Sequence, residues 1–484
     1  MANTKTSKIK DTIVRRLYAR GKWKLDSVAH FGGDETGIAD MCLLRDAEGT
    51  PFIPAASIAG AARSFLARLS KPWMKYQKGD EGEVLKRLFG GAGENDTMSA
   101  LIVADAACKN SQTSIRDGVR VDTQSGSAAD GAKFDVEVVE RETEFELRLE
   151  CVIRDGDDNK ALEKLFLVLL HGFETGDIRL GARTRRGYGR GKVASWKVRD
   201  LNMDDPEDVM AWLRDKVWCR PASQLTPCPL RSDKRQYFRL EADFILQTSL
   251  LIRSSPSDPK APDMVHLHSA GEPVVPGTSF AGAFRHRASL IANTIGWPED
   301  AVSEIFGPVH EQGAKDPQKD LWASRVWIEE KLVKNVESRW QDRVAIDRFT
   351  GGSLQSALFN EKPIFPQKST PHLKLKLMLE EPDDAEIGLL FLTLRDFWYG
   401  YAALGGETSN GRGTLQGFKA ELQLKRRNSS KAEWEFSQCD SGMTLVGCSG
   451  DASFLECCVK KAQSPPEHPD GSRWPEKQKG TIDD

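Results

Sequence analysis

The chain repeats itself, and any fold proposed for it has to be satisfied twice. Residues 40–66 (DMCLLRDAEGTPFIPAASIAGAARSFL) return as residues 263–290 (DMVHLHSAGEPVVPGTSFAGAFRHRASL). Pro54 and Pro276 lie 222 positions apart, as do Arg63 and Arg285, and Asp40 and Asp263 lie 223 apart. Further along, Phe89-Gly90 answers Phe306-Gly307, and Val121-Asp122 answers Ile346-Asp347. Gly189-Arg190-Gly191 answers Gly411-Arg412-Gly413, again at 222. Landmarks in one order at one spacing mean a tandem duplication of a single architecture.

Both halves follow the same order of elements. An alternating stretch reads as a strand (17–28; 237–252) and is followed by a loop carrying the aspartate. A hairpin turns at Ala47-Glu48-Gly49 or Ala270-Gly271-Glu272, where glycine supplies the turn geometry. Ser57 and Ser279 are expected to cap the next helix. After a short strand (101–105; 325–329), a long polar excursion with a Gly/Ser-rich tip reads as a two-stranded arm. A strand (145–153; 373–379), an amphipathic helix (161–173; 385–403), a Gly-rich loop and a last strand (192–199; 416–425) close each half. This interleaving predicts an α+β fold: two tandem ferredoxin-like (RRM-like, β-α-β-β-α-β) domains with long β-hairpin arm insertions. They are expected at 12–199 and 236–426, joined by a connector at 200–235 that holds a short helix (206–217). The tail, 427–484, is expected to be irregular, and disordered from Ser464.

Composition enters where partners are concerned. The longest apolar run, Leu165–Leu170, is far short of a membrane span, and the basic N-terminus shows no apolar secretory core. Nine cysteines without framework spacing fit a reducing compartment, so the expectation is a cytoplasmic protein with no membrane partner. A net charge of −3 excludes a general basic coat but not local basic loops, because only cations that touch phosphate matter. The loop LGARTRRGYGRGKV (180–193) concentrates Arg183, Arg185, Arg186 and Arg190 among glycines, pointing to a polyanion. Its second copy, LGGETSNGRGTL (404–415), keeps only Arg412. The alternative for each arginine is an ordinary solvated loop.

These motifs resemble the RAMP superfamily of CRISPR proteins, most of all the backbone subunits of type III effector complexes that line the guide RNA. The pattern of an aspartate, a hairpin, a P-G-S-S-L-x-G-x-x-R helix start, an I-D-R arm and a Gly-rich loop is carried by two sets of residues. One is Asp40, Pro54–Gly60, Arg63 and Val121-Asp122; the other is Asp263, Pro276–Gly282, Arg285 and Ile346-Asp347-Arg348. The likeness spans roughly residues 12–425 and looks like a two-repeat fusion. Departures are Ala59 and Ala281 in place of the helix-start lysine, and Thr123 in place of the first arm's arginine.

The resemblance implies binding of guide RNA and complementary target RNA within a complex of other CRISPR effector subunits. It also implies metal-dependent cutting of the target, by 2′-hydroxyl attack, to a 2′,3′-cyclic phosphate. Asp40 and Asp263 are then the catalytic positions and the ligands of Mg2+ or another divalent ion; otherwise each is a turn or capping aspartate. RNA contacts are expected from Arg63, Arg183, Arg185, Arg186, Arg190, Arg285, Arg348 and Arg412. Phe134 and Phe359, near the arm ends, are expected either to wedge between bases or to anchor the arms. His266 and His268 beside Asp263 offer a metal pair or a general base, against a packing role. His30 near Asp40 keeps open a metal-free precursor-processing reading, and scaffolding without chemistry is the other alternative. Zinc on Cys439, Cys448, Cys457 and Cys458, or on Cys219 and Cys228, is a weaker expectation because the spacing is loose.

Overall fold

The computed structural model describes residues 12–33, 39–70, 82–91, 98–108, 111–121, 128–230, 233–256, 260–298, 301–308, 322–427 and 429–463. The first arm's tip, with Asp122 and Thr123, and the tail from 464 lie outside the described residues. Two compact units emerge: residues 1–115, 136–184 and 188–234 form the first, and residues 116–135, 185–187 and 235–484 the second. The chain is a mixture of helices and antiparallel sheets, the α+β class expected.

In the first unit, β1 (Ile13–Leu25) runs through the middle of a four-stranded sheet. β2 (Leu101–Val103) precedes the first arm, which is built from the paired strands β3 (Thr113–Val121) and β4 (Ala128–Val139). β5 (Glu144–Arg154) and β6 (Gly191–Asn202) flank β1, and the sheet order β2-β5-β1-β6 is antiparallel throughout. α1 (Ala55–Ser70) and α2 (Asn159–Thr175) supply the other half of the core. The period-2 alternation of β1 sends Leu17, Ala19, Trp23 and Leu25 inward, where Trp23 and Phe31 meet Phe145 at ring distances of 6.1 and 5.5 Å. α2 starts where the Asp158 carboxylate accepts the Ala161 N–H at 3.0 Å, and it stops at Gly176 in the left-handed conformation.

The outward face of β1 carries Arg16, Arg20 and Lys22, which pair with Glu150, Glu146 and Glu144 of β5. The connector helix α3 (Pro206–Leu213) lays Trp212 against the Arg16 guanidinium at 4.4 Å. These three pairs neutralise one another across the two strands.

The second unit repeats the plan. β7 (Tyr237–Leu246), β8 (Met264–His266), α4 (Gly277–Thr294) and β9 (Val326–Ile328) lead to the second arm, β10 (Gln341–Ile346) and β11 (Ser353–Lys362). β12 (Leu373–Glu380), α5 (Asp384–Trp398) and β13 (Leu415–Lys425) follow. Phe284 of α4 stacks on Phe397 of α5 at 4.9 Å, and a reciprocal capping box of Asp383 and Glu386 starts α5. Lys376–Glu241 and Lys374–Asp243 pairs zip the outer sheet face here too.

Two expectations change. Ser57 lies within α1, and α4 begins after Pro276 with no side-chain cap. In the first copy, Asp105 from another segment accepts the Ala55 N–H at 2.7 Å. The tail is not irregular over residues 432–463. There, β14 (Ala432–Cys439) and β15 (Gly442–Cys448) extend the sheet to the order β9-β12-β7-β13-β14-β15. α6 (Phe454–Gln463) packs so closely on α5 that a Cβ on Gly388 would sit 2.1 Å from the Cys458 carbonyl. Trp434 stacks on Phe454 at 5.3 Å, which binds the added hairpin to the added helix.

Candidate nucleic-acid interface

Asp40 is exposed, and the described segments before and after it are tied together. Gly32 and Leu43 form a bridge, and the Gly33 N–H reaches the Cys42 carbonyl at 2.9 Å. The next residue, Met41, pairs in parallel with Val136, and its carbonyl accepts the Glu137 N–H at 2.9 Å. The Glu137 carboxylate accepts the Leu43 N–H at 2.9 Å and pairs with Arg45. The aspartate therefore projects from backbone that is hydrogen-bonded on both sides. From the Gly-rich loop, the Arg183 guanidinium comes within 3.4 Å of the Met41 sulfur. Tertiary structure thus places the basic loop against the neighbour of the candidate carboxylate.

The two Gly-rich loops share one backbone. The Leu180 N–H donates to the Gly189 carbonyl at 2.9 Å, and the Leu404 N–H to the Gly413 carbonyl at 3.0 Å. The Gly189 N–H reaches Val28 and the Gly413 N–H reaches Ser249, both at 2.7 Å. Arg183 and Glu407 hold matching left-handed conformations, φ 56° and 57°. The true correspondence in this loop is therefore 224 positions rather than 222. Arg412 answers the buried Tyr188, and Glu407 answers Arg183.

That shift corrects the expectation for Arg412. Its side chain is 2% exposed and bonds to Glu407 at 2.7 Å, Gln341 at 2.9 Å, and Ser249 and Glu361 at 3.0 Å. A guanidinium so occupied is structural, and the second loop offers no outward arginine.

Arg185 also serves packing. It stacks on Trp327 at 4.7 Å, lies 3.3 Å from the Glu380 carboxylate and donates to the Ser324 carbonyl. Arg186, by contrast, is exposed, and its charge bears on the half-buried Arg285. Burial first, and then Arg186, lower the Arg285 guanidinium below its usual range. Arg285 donates to the Ser303 hydroxyl at 3.1 Å. Two arginines that repel one another are relieved by a phosphate between them. Arg190 is half-buried with Asp26 3.8 Å away, and Arg63 is half-buried within α1.

On the arms, Phe134 lies over Gly118, where a Cβ would come 2.2 Å from the ring. Phe359 pairs across the second arm with Arg343. Phe134 thus packs within its own arm. Arg348 is exposed in the second arm's tip, beside Phe349, which is 99% exposed. Sequence reasoning missed Phe349. The signal was an aromatic directly after an arginine and just before Thr350-Gly351-Gly352, a turn too tight to bury it.

Asp263 is exposed, as Asp40 is, but tied differently. Its N–H donates to Asn360 Oδ1 at 2.8 Å, and its Oδ2 accepts the Asn360 N–H at 3.0 Å.

The histidines do not form a site. His266 is fully buried; its Nδ1 accepts the Ile252 N–H and its Nε2 faces the Val274 carbonyl, each at 3.1 Å. His268 turns its Nδ1 to the His266 backbone carbonyl at 2.6 Å. His30 is buried, with Nδ1 2.7 Å from the Glu137 carbonyl, a packing position rather than an exposed one.

Burial drives the His266 pKa down to about 3. The unfolded chain takes up that proton below pH ~6.5, so the unfolded state binds more protons and stability falls as the pH drops from there towards 3. Between pH 7 and pH 5 this histidine should cost about 2 kcal/mol. Urea midpoints for wild type and His266→Gln at the two pH values should show that the variant loses correspondingly less.

Among the described residues no three His, Cys, Asp or Glu side chains converge on a common point. Asp40 and Asp263 each offer a single carboxylate. That donor set fits a hard divalent ion whose remaining ligands are water and substrate phosphate, as is usual for Mg2+.

Two copies of a helix-covered antiparallel sheet, each with an arm, an aspartate loop and a Gly-rich loop, define one architecture present twice. Residues 24–192 and 243–416 each match the RAMP superfamily, and the chain belongs to that superfamily, with two copies of its domain. Over 200 residues, covering 38% of this chain and 90% of the relative, it is 28% identical to the CRISPR system Cms endoribonuclease Csm3 of Streptococcus thermophilus. No helix among the described residues is long and apolar enough to cross a membrane.

Proposed function

We propose that this chain is a guide-RNA backbone subunit of a type III CRISPR effector complex and cuts guide-paired target RNA at Asp40. Each repeat is read as a ferredoxin-like domain, and the complex as cytoplasmic. The observation that supports the reading is the position of Arg183 against Met41, the residue that follows Asp40. A phosphate held by Arg183 would lie within reach of the group that acts on it.

In this reading Arg183, Arg190, Arg63 and the Arg186–Arg285 pair hold RNA phosphates. Arg348 and Phe349 at the second arm's tip engage the duplex. Asp40 would hold the divalent ion, which when bound supplies charge neutralisation at the scissile phosphate. Holding the target nucleotide in line for attack by its own 2′-hydroxyl is the protein's larger contribution. Asp263 is the second, weaker candidate, since Glu407 stands where the first copy has Arg183.

The test is incubation of the assembled complex with end-labelled complementary RNA, comparing wild type with each aspartate variant, with and without chelator. Retained cutting in chelator would favour metal-free chemistry. Unchanged products from both aspartate variants would leave a guide-binding scaffold. Binding is tested separately. Arg183→Ala and Arg190→Ala should each weaken guide-RNA binding and lower the slope of log K against log salt by about 1. An unchanged salt slope would remove that arginine from the interface.

A further inference from the structure

Arg412 and Glu361 are the most deeply buried ion pair of the second Gly-rich loop, each side chain 2% exposed. Burying a charged pair is costly unless its geometry is good and its remaining hydrogen bonds are met. Here they are met in a particular way. One guanidinium bonds to Gln341 and Glu361, which sit opposite each other as the root pair of the second arm. The same group bonds to Glu407 in the loop and to Ser249 just past β7. Arg343, also on the arm, reaches Glu407 at 2.9 Å.

Glu361 has a further neighbour. It pairs in parallel with Met264, and the residue before it, Asn360, makes the two hydrogen bonds to Asp263. In the first copy the positions in that register are Val136, opposite Met41, and the buried Tyr188, which carry no charge.

Resting on the function proposed above, we infer that Arg412 is a positioning residue for the second site: it clamps both strands of the arm root in the register that holds Asn360 on Asp263. The planar fork is essential, because four bonds leave one guanidinium towards the arm, the loop and the end of β7. Lysine, a point charge with three donors, cannot span them.

Hydrogen exchange on the full-length protein tests the clamp without any RNA. In Arg412→Lys, amides of Gln341–Ile346 and of Asn360 should exchange about 10-fold faster or more, while those of β7, β12 and β13 stay unchanged. Should that variant fail to fold, Arg412→Met/Glu361→Leu removes both charges, leaves neither buried alone, and should show the same selective loosening. Equal exchange at the arm root in the folded variant would overturn the proposal, as would loosening spread evenly over the sheet.

Cleavage supplies a second reading in the assembled complex. The fragment that depends on Asp263 should weaken and its end become heterogeneous in Arg412→Lys, while the Asp40-dependent fragment keeps its rate. If Asp263→Ala removes no fragment at all, the second catalytic site fails, and the exchange data still decide whether Arg412 is the clamp.

Discussion

In a complex carrying Asp40→Asn, one set of target-RNA fragments should vanish while target and guide binding stay unchanged. Asparagine preserves the size of the side chain but removes the charge that could hold a divalent ion or accept a proton. Losing such a group costs on the order of 10²–10⁴-fold in rate. The loop itself should survive, because it is tied by backbone bonds at Gly33–Cys42 and Met41–Glu137 and by the Glu137 carboxylate on the Leu43 amide. Fragment mapping on end-labelled RNA, with a filter-binding measurement beside it, separates the outcomes. Lost cutting with intact affinity supports a chemical role. Joint loss of both would make Asp40 a structural residue, and persistence of every fragment would refute its assignment.

The second large effect concerns folding. Gly189→Ala and Gly413→Ala should each destabilise the protein by about 3–5 kcal/mol, among the largest effects of a single methyl group. Both glycines hold positive φ, 66° and 74°, and at both a Cβ would come 1.8 Å from the carbonyl oxygen of Leu180 or Leu404. That oxygen belongs to the residue whose N–H closes the loop, so relieving the clash breaks the closure. Gly411 is the control. Its φ is 85° but nothing lies within 4 Å, so Gly411→Ala should cost only the left-handed penalty of about 1–2 kcal/mol. Urea denaturation of the three variants reads the difference directly, and equal midpoints would contradict the steric account.

Much of the fold was legible because hydrophobic period and turn chemistry are local. The alternation of β1 and β7, the amphipathic α2 and α5, and the glycines of both hairpins fixed element type and order. The caps were not, since Asp105 reaches α1 from a distant segment. The folded tail was legible in part: Trp434 and Phe436 alternate before an Asp-Ser-Gly turn, but its packing partner is α5, far away in sequence. For the candidate interface, residue type singled out the two Gly-rich loops but did not separate their outward arginines from their buried ones. Arg185 and Arg412 look like Arg183 in one dimension, yet Trp327 and Glu380 take up the one and Glu361 and Glu407 the other.

By itself, then, the sequence determined that one α+β unit occurs twice, where its arms and glycine loops fall, and that an aspartate precedes each hairpin. Periodicity and spacing survive in one dimension because helices, strands and turns impose them on neighbouring residues. Only the tertiary structure decided which charges face outward. The loop correspondence of 224 turns Arg412 inward and sets Glu407 where the first copy has Arg183. An arginine is a phosphate ligand or a buried clamp according to what the rest of the chain brings to it.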